Sequence, residues 1–239
     1  MTFSIVARCP RTGALGVATS SKALSAGGAV PHCRAGVGAI ASQAFSNPYL
    51  GIDGLAMLEQ GLPAERAIER AIESDAGREL RQLAIVDSEG RVAAYTGERC
   101  IDWAGHHPGG GYVCLGNILT SEDVVKEMAT AFERSIEENL PERLMRALEA
   151  GQDAGGDRRG RQSAGIHVVQ TEEYPYCDLR VDDHPDPVPE LRRVLAIWQQ
   201  DEPLLQAEPR RDDFTPHWDA VLRGREIIEE SLQEDAATR

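Results

Sequence analysis

The stretch that decides the fold is MTFSIVARCPRTGALGVATSSK, residues 1–22. Residues 2–8 are rich in Thr, Phe, Ile and Val, which favour β-strands, and residues 14–21 form a second strand-like run. The intervening CPRTG, residues 9–13, is typical of a hairpin turn. The sequence therefore predicts an antiparallel β-hairpin that begins directly after the initiator methionine.

The predicted register of this hairpin gathers polar side chains around Thr2. If the strands pair directly across the turn, Thr2 lies opposite Ser21, with Ser20 and Lys22 one residue away. Removal of Met1 would leave Thr2 with a hydroxyl and a free α-amine in one residue. These are a nucleophile and a general base, the pairing that acyl-transfer enzymes with an N-terminal threonine use. Retention of Met1 would convert the amine into an amide and remove the base.

The composition argues against several classes of function. The 239 residues carry a formal net charge of −14, whereas proteins that bind nucleic acids or anionic membranes need basic surfaces. No segment approaches the about 20 consecutive apolar residues of a membrane span, and the first residues lack the pattern of a secretory signal. We therefore expect a cytoplasmic protein whose partner is a small-molecule substrate or ligand, with no nucleic acid and no membrane.

Metal and cofactor sites are not indicated. The five cysteines are odd in number and scattered, without a CxxC pair, which predicts neither a disulfide framework nor a thiolate zinc site. The pair His106-His107 and the DDHPD run at 182–186 match no metal motif, and neighbouring residues on a strand face opposite ways. We expect no metal and no cofactor.

The order of elements predicts an α+β fold. Strand patterns at the N-terminus are followed by two helices, a second hairpin, two more helices, two strands and a helix. The glycine- and alanine-rich tract 23–34 carries no strand pattern, 104–111 is expected to be a loop, and 120–123 resembles a capping box. We predict one domain over 1–200, and a linker with an appended C-terminal helix over 201–239.

Several short motifs accompany the hairpin: GVGAIASQ at 36–43, GN at 116–117, GGDR at 155–158 and LRVDDHP at 179–185. With them, residues 2–196 resemble the bacterial and archaeal family known as domain of unknown function 1028. The resemblance implies the fold of the N-terminal nucleophile (Ntn) hydrolases, a four-layer αββα sandwich with two antiparallel sheets. It also implies that Thr2 occupies the position of the nucleophile of that superfamily.

The first functional hypothesis is an Ntn-type amidohydrolase that cleaves the amide-like C–N bond of a small metabolite. Thr2 would be nucleophile and base, Ser21 and Lys22 would orient its amine or shift the amine pKa, and Asn117 would help to hold the oxyanion. The alternative interpretation of these residues is a solvated strand end and a loop asparagine. Helix faces rich in small apolar residues favour a homodimer.

The second hypothesis is a binding protein for a small anionic ligand, with no covalent chemistry. Its candidate ligand-binding residues are Ser20, beside Thr2, and Asp157 and Arg158 in the loop 155–161. Glycines permit unusual backbone angles there, and arginines can bind a carboxylate or phosphate. The loop lacks the Lys-Ser/Thr pair of a P-loop, so an interface or a salt-bridged turn is the favoured interpretation of these residues.

Overall fold

A computed structural model describes residues 2–205, together with 222, 223, 225, 226 and 229. The strands of this part of the chain are β1 (Thr2–Arg8), β2 (Leu15–Ser21), β3 (Pro31–Arg34), β4 (Gly38–Ala44), β5 (Arg81–Asp87), β6 (Val92–Thr96), β7 (Gly105–Gly109), β8 (Tyr112–Asn117), β9 (Ser163–Val169) and β10 (Cys177–Val181).

The longer helices follow the predicted order, whereas the short helix at Ala26–Ala29 was not predicted. Asn47 and Asn139 begin two of them by accepting a backbone N–H with the side chain, and a proline lies in the first turn of each. The helices of the described residues are α1 (Ala26–Ala29), α2 (Pro48–Glu59), α3 (Ala64–Ser74), α4 (Asp123–Arg134), α5 (Leu140–Asp153) and α6 (Pro187–Leu205), with a 3₁₀ turn at Arg78–Leu80.

The strands form two antiparallel sheets. Six strands are arranged in the order β10-β9-β2-β1-β8-β7, and four in the order β3-β4-β5-β6. β1 is therefore a central strand, with β2 on one side and β8 on the other. The hairpin of β1 and β2 has the predicted register, with Thr2 opposite Ser21.

The sheets stack face to face between two layers of helices. Along β1, Val6 points into a core between the sheets, where it meets the inner faces of β4 and β5. Phe3 points to the other side, where it lies beside Gly151 of α5. In the opposite outer layer, α2 and α3 pack on β4 and β5 through a second core that includes Leu50, Ile68 and Ile40. The layer order is αββα, which confirms the predicted α+β class and four-layer sandwich.

Two strands form where the sequence analysis placed none. Pro31–Arg34 lies in the glycine- and alanine-rich tract 23–34, and Gly105–Gly109 lies in the expected loop 104–111. Both are edge strands of their sheets, paired on one side only. An edge strand tolerates proline, since the missing N–H faces away from the neighbouring strand. Their glycine and proline content therefore obscured the strand pattern in the sequence.

The expected capping box at 120–123 does not form. The N-cap residue of α4 is Glu122, which makes no side-chain cap bond, and the backbone N–H of Asp123 donates to Ser121 instead. The reason lies upstream, because the backbone N–H of Thr120 already donates to Gly156 O at 3.2 Å. Thr120 is thus tied to the loop after α5 rather than to the start of α4.

Residues 2–191 form one compact unit, and a second unit begins at Arg192. Helix α6 continues to Leu205, across the predicted domain boundary at residue 200. Most of the predicted linker and C-terminal helix, 201–239, lies outside the described residues. Within the described part of the chain, no helix combines the length and apolar character needed to cross a membrane.

Candidate active site

Thr2 is the first residue of the central strand of the six-stranded sheet. Its register partners are Ser21, the last residue of β2, and Asn117, the last residue of β8. The antiparallel arrangement brings these three strand ends to one edge of the sandwich. Thr2 is nearly buried, with 5% of its surface exposed. The structure therefore brings Thr2, Ser21 and Asn117 to neighbouring positions.

The hydroxyl of Thr2 donates to the hydroxyl of Ser21, with 3.3 Å between the two oxygens. The carbonyl oxygen of Thr2 accepts a bond from Gln43 Nε2, also at 3.3 Å, and Gln43 belongs to the four-stranded sheet. Thr2 is thus held from its own sheet through its side chain and from the facing sheet through its backbone. Both neighbours are neutral.

The ammonium group of Lys22 is directed elsewhere. Its Nζ donates to the carbonyl oxygen of Arg161 at 3.2 Å, and its backbone N–H donates to Asp157 at 2.8 Å. Lys22 directly follows Ser21, the register partner of Thr2, but its ammonium group bonds to the loop that follows α5. Among the described residues, the Thr2 hydroxyl therefore bonds the neutral Ser21 and no cationic side chain.

Ser20 points away from this grouping. Successive side chains of a strand alternate between faces, so Ser20 lies on the opposite face of β2 from Ser21. It is buried, and its hydroxyl donates to the carbonyl oxygen of Ser163 on the neighbouring strand at 3.3 Å. The structure does not bring Ser20 together with Thr2.

The loop 155–161 packs against the same edge of the sandwich. Asp157 is buried, and its carboxylate accepts bonds from the backbone N–H groups of Lys22 and Arg159, both at 2.8 Å, and pairs with the Arg159 guanidinium. The backbone N–H of Arg158 donates to Ile118 O at 3.1 Å, directly after Asn117. The residues around Thr2 and the loop 155–161 are thus neighbours in space. The carboxylate of Asp157 is already bound to the backbone of Lys22 and Arg159.

Two glutamines that the sequence analysis did not single out complete the grouping. Gln43 ends the run of small residues in β4, and Gln82 begins the apolar run of β5. Gln82 Oε1 accepts bonds from Gln43 Nε2 at 2.8 Å and from Asn117 Nδ2 at 2.9 Å. The available signal was a buried polar residue at the end of two otherwise apolar strands, which cannot be recognised before the strands are paired.

The other candidate groups bond to residues other than Thr2. Within the described residues, no three His, Cys, Asp or Glu side chains are grouped as metal ligands would be. His106 Nδ1 lies 3.0 Å from Thr96 Oγ1, and His184 Nδ1 accepts the backbone N–H of Asp186. All five cysteines, which fall in the described range, are free thiols, and burial raises the pKa of Cys114 well above its ordinary value.

Comparisons with known proteins agree with the motifs. A family model described as a family of unknown function (DUF1028) matches residues 2–191. The crystal structure of a Silicibacter pomeroyi protein, described with the same family model, aligns with a TM-score of 0.82 and 32% sequence identity, covering 90% of this chain and 94% of that chain.

More distant matches are two structures of Anbu. The protein from Yersinia bercovieri, described as an ancestral beta-subunit, aligns with a TM-score of 0.40 and 13% identity, covering 83% of this chain and 97% of that chain. The protein from Hyphomicrobium sp. strain MC1 aligns with a TM-score of 0.39 and 10% identity, covering 83% and 95%. Comparison with curated proteins gives no match.

Proposed function

We propose that this chain, which belongs to the DUF1028 family of unknown function, hydrolyses the amide-like C–N bond of a small metabolite. In this proposal Thr2 is the nucleophile. The observation that carries the proposal is the position of Thr2, at the start of a central strand with its hydroxyl 3.3 Å from that of Ser21. A threonine in this place needs only the removal of Met1 to combine a hydroxyl with a free amine.

The reaction would proceed in two steps. The Thr2 hydroxyl oxygen attacks the carbonyl carbon, and its proton passes to the α-amine directly or through water. The C–N bond then breaks, the leaving nitrogen takes the proton, and an ester on Thr2 remains. Water, deprotonated by the same amine, cleaves this ester and restores the hydroxyl. An α-amine suits this role because its ordinary pKa is about 7.7–8.0.

Asn117 supports the first step. It is the register partner of Thr2, and one of its amide N–H groups donates to Gln82 while the amide keeps a second N–H. A donor at the oxyanion of such a reaction contributes about 3 kcal/mol to stabilisation of the transition state. We assign this role to the second N–H of Asn117 together with backbone N–H groups.

The test has two parts, one for the terminus and one for the hydroxyl. Mass spectrometry of the intact protein should show the loss of Met1. A β-lactone, whose strained ester acylates nucleophilic hydroxyls, should then add once, on the peptide that begins with Thr2. The Thr2→Ala variant should lose both this adduct and the hydrolysis of any amide in a panel that the wild type cleaves. Thr130→Ala, on the exposed face of α4, is the matched control and should retain both. Retention of Met1 together with full activity would disprove the mechanism.

A second candidate function is the binding of a small anion without covalent chemistry. The observation that favours it is Arg158, which follows the buried Asp157. Its side chain is exposed and has no partner among the described residues. Thermal-shift measurements with carboxylate and phosphate metabolites should give a rise in Tm that Arg158→Ala abolishes. Arg70→Ala on the surface of α3 is the control. No shift with any anion would eliminate this function.

A further inference from the structure

Gln82 reaches from the four-stranded sheet into the six-stranded sheet. It is the second residue of β5 and is fully buried. Its Nε2 donates to the carbonyl oxygens of Gly116 at 2.7 Å and Gly105 at 3.1 Å, which are register partners on β8 and β7. Thr96 Oγ1 lies at 3.1 Å from the same nitrogen. A buried amide with this many partners is held in one orientation.

The backbone carbonyls decide which end of this amide is nitrogen. A carbonyl oxygen can only accept, so the end of Gln82 that faces Gly105 and Gly116 must carry the N–H groups. The oxygen of Gln82 therefore faces the other way, and its two neighbours there must present N–H groups. These are Gln43 Nε2 at 2.8 Å and Asn117 Nδ2 at 2.9 Å. The orientation of three amides thus follows from two backbone carbonyls.

This arrangement orients Gln43 and Asn117, the two residues beside Thr2. Gln43 Nε2 also donates to the carbonyl oxygen of Thr2 at 3.3 Å, and Gln43 Oε1 accepts the Ser4 hydroxyl at 2.6 Å. Among the described residues, the Asn117 side chain bonds Gln82 and no other group. The amide oxygen and second N–H of Asn117 therefore remain for a molecule that approaches Thr2.

We propose that Gln82 is a positioning residue for Thr2 and Asn117, which it orients from the facing sheet, Asn117 directly and Thr2 through Gln43. This inference rests on the proposed function of Thr2 as nucleophile. The side chains hydrogen-bonded to Gln82, namely Gln43, Asn117 and Thr96, are all neutral, so Gln82 sets geometry without adding charge near the Thr2 amine. A displacement of about 1 Å at a reacting group costs about 100-fold in rate, which is the scale of effect expected from its loss.

The test uses the full chain, with Thr2 released as first residue from a removable N-terminal tag. Gln82→Met keeps the length and bulk of the side chain but removes its hydrogen bonds. The matched control is Asp87→Asn at the other end of β5, a buried carboxylate that binds the backbone N–H of Ala64 and pairs with Arg91. Three quantities are measured: the maximal rate of β-lactone acylation, the lactone concentration that gives half of it, and Tm. In addition, the NMR resonance of ¹³C-labelled Thr2 reports on the surroundings of this residue.

The positioning role predicts a specific combination of results. Gln82→Met should lower the maximal acylation rate about 10- to 100-fold, with little change in the half-saturating concentration, and should move the NMR resonance of Thr2. Asp87→Asn should lower Tm by a similar amount and leave both the rate and the resonance unchanged. Equal acylation rates for Gln82→Met and wild type would overturn the inference and leave Thr2 as nucleophile intact.

Failure of the proposed function gives a different pattern. If the wild type with a free Thr2 is not acylated, Thr2 is not a nucleophile, and the NMR resonance decides the role of Gln82. A resonance that moves in Gln82→Met and not in Asp87→Asn would support positioning of Thr2 in a protein without this chemistry. A resonance that is unchanged in both variants would reject the positioning role as well.

Discussion

The hydroxyl groups of Thr2 and Ser21 lie 3.3 Å apart, although 19 residues separate them along the chain. The contact joins the first residue of β1 to the last residue of β2, so it closes the open end of the hairpin. It also gives the proposed nucleophile a neutral neighbour of the same chemical type. The proton of the Thr2 hydroxyl is therefore directed toward an acceptor before any substrate binds.

Replacement of Ser21 by alanine removes this acceptor. We expect the rate of β-lactone acylation at Thr2 to fall about fivefold, since one hydrogen bond contributes about 1 kcal/mol and a tenfold change in rate corresponds to about 1.36 kcal/mol. The measurement is the growth of the adduct by intact-protein mass spectrometry. Ser135→Ala, which removes a buried hydroxyl bonded to backbone carbonyls of α4, should lower Tm without changing the rate. A rate unaffected by Ser21→Ala would show that this hydroxyl takes no part.

Asp157→Ala should destabilise the edge of the sandwich that carries Thr2. The carboxylate accepts the backbone N–H groups of Lys22 and Arg159, and both would lose their acceptor in a buried setting. We expect the free energy of unfolding to fall by about 2–3 kcal/mol, measured by urea denaturation. The amide of Lys22 should also exchange faster with deuterium. Asp153→Asn, at the exposed end of α5, should change the free energy of unfolding by less than about 0.5 kcal/mol.

The ion pair between Asp75 and Arg81 makes stability depend on pH. The Arg81 guanidinium, 2.8 Å away, and the N–H of Gly77 lower the pKa of Asp75 to about 2, against the raising effect of burial. Because the folded-state pKa lies below the unfolded one, this stabilisation is complete above about pH 4 and is lost as the pH falls toward 2.

The corresponding variant is Asp75→Asn. At pH 7 it should lower the free energy of unfolding by about 2 kcal/mol, since each pKa unit corresponds to about 1.4 kcal/mol. The difference from wild type should shrink between about pH 4 and pH 2, as followed by urea titrations across this range. Asp53→Asn, an exposed position on α2, should show no such dependence. A constant difference at all pH values would contradict the ion-pair explanation.

Gly165→Ala should destabilise the contact between α1 and β9. A Cβ atom at Gly165 would lie 2.8 Å from the Cα of Gly27 and 3.2 Å from the carbonyl oxygen of Leu179, and these backbone atoms cannot rotate away. We expect a loss of about 1–3 kcal/mol in the free energy of unfolding. Gly110→Ala is the control, because no atom lies within 4 Å of a Cβ there. Similar stabilities for the two variants would show that the sheet adjusts to the added methyl group.

Local sequence was enough to predict the hairpin and its register. Strand-forming residues flank a turn of defined length, and side-chain alternation then places Thr2 opposite Ser21 without further information. The edge strands Pro31–Arg34 and Gly105–Gly109 could not be predicted in this way. Their glycines and prolines disfavour strands locally, and pairing with a long neighbouring strand outweighs that preference.

The candidate site shows the same division. Thr2, Ser21 and Asn117 were identified from the sequence, because each ends a strand or lies in a recognisable motif. Gln43 ends the quoted motif GVGAIASQ and Gln82 lies in no motif, yet neither was assigned to the site, since both belong to the facing sheet and meet the others only when the two sheets stack. A polar residue in an apolar strand has no meaning for a site until its partners across the core are known.

The sequence by itself determined where the first hairpin turns, that Thr2 lies opposite Ser21 in it, and that this threonine follows Met1 directly. These are properties of near neighbours, encoded in propensity and alternation. Only the tertiary structure decided how the side-chain amides around that threonine are oriented. It also decided that the ammonium group of Lys22 bonds to the carbonyl oxygen of Arg161. The physical reason is that hydrogen-bond direction depends on donors and acceptors brought together from distant segments, and buried polar groups must satisfy them jointly.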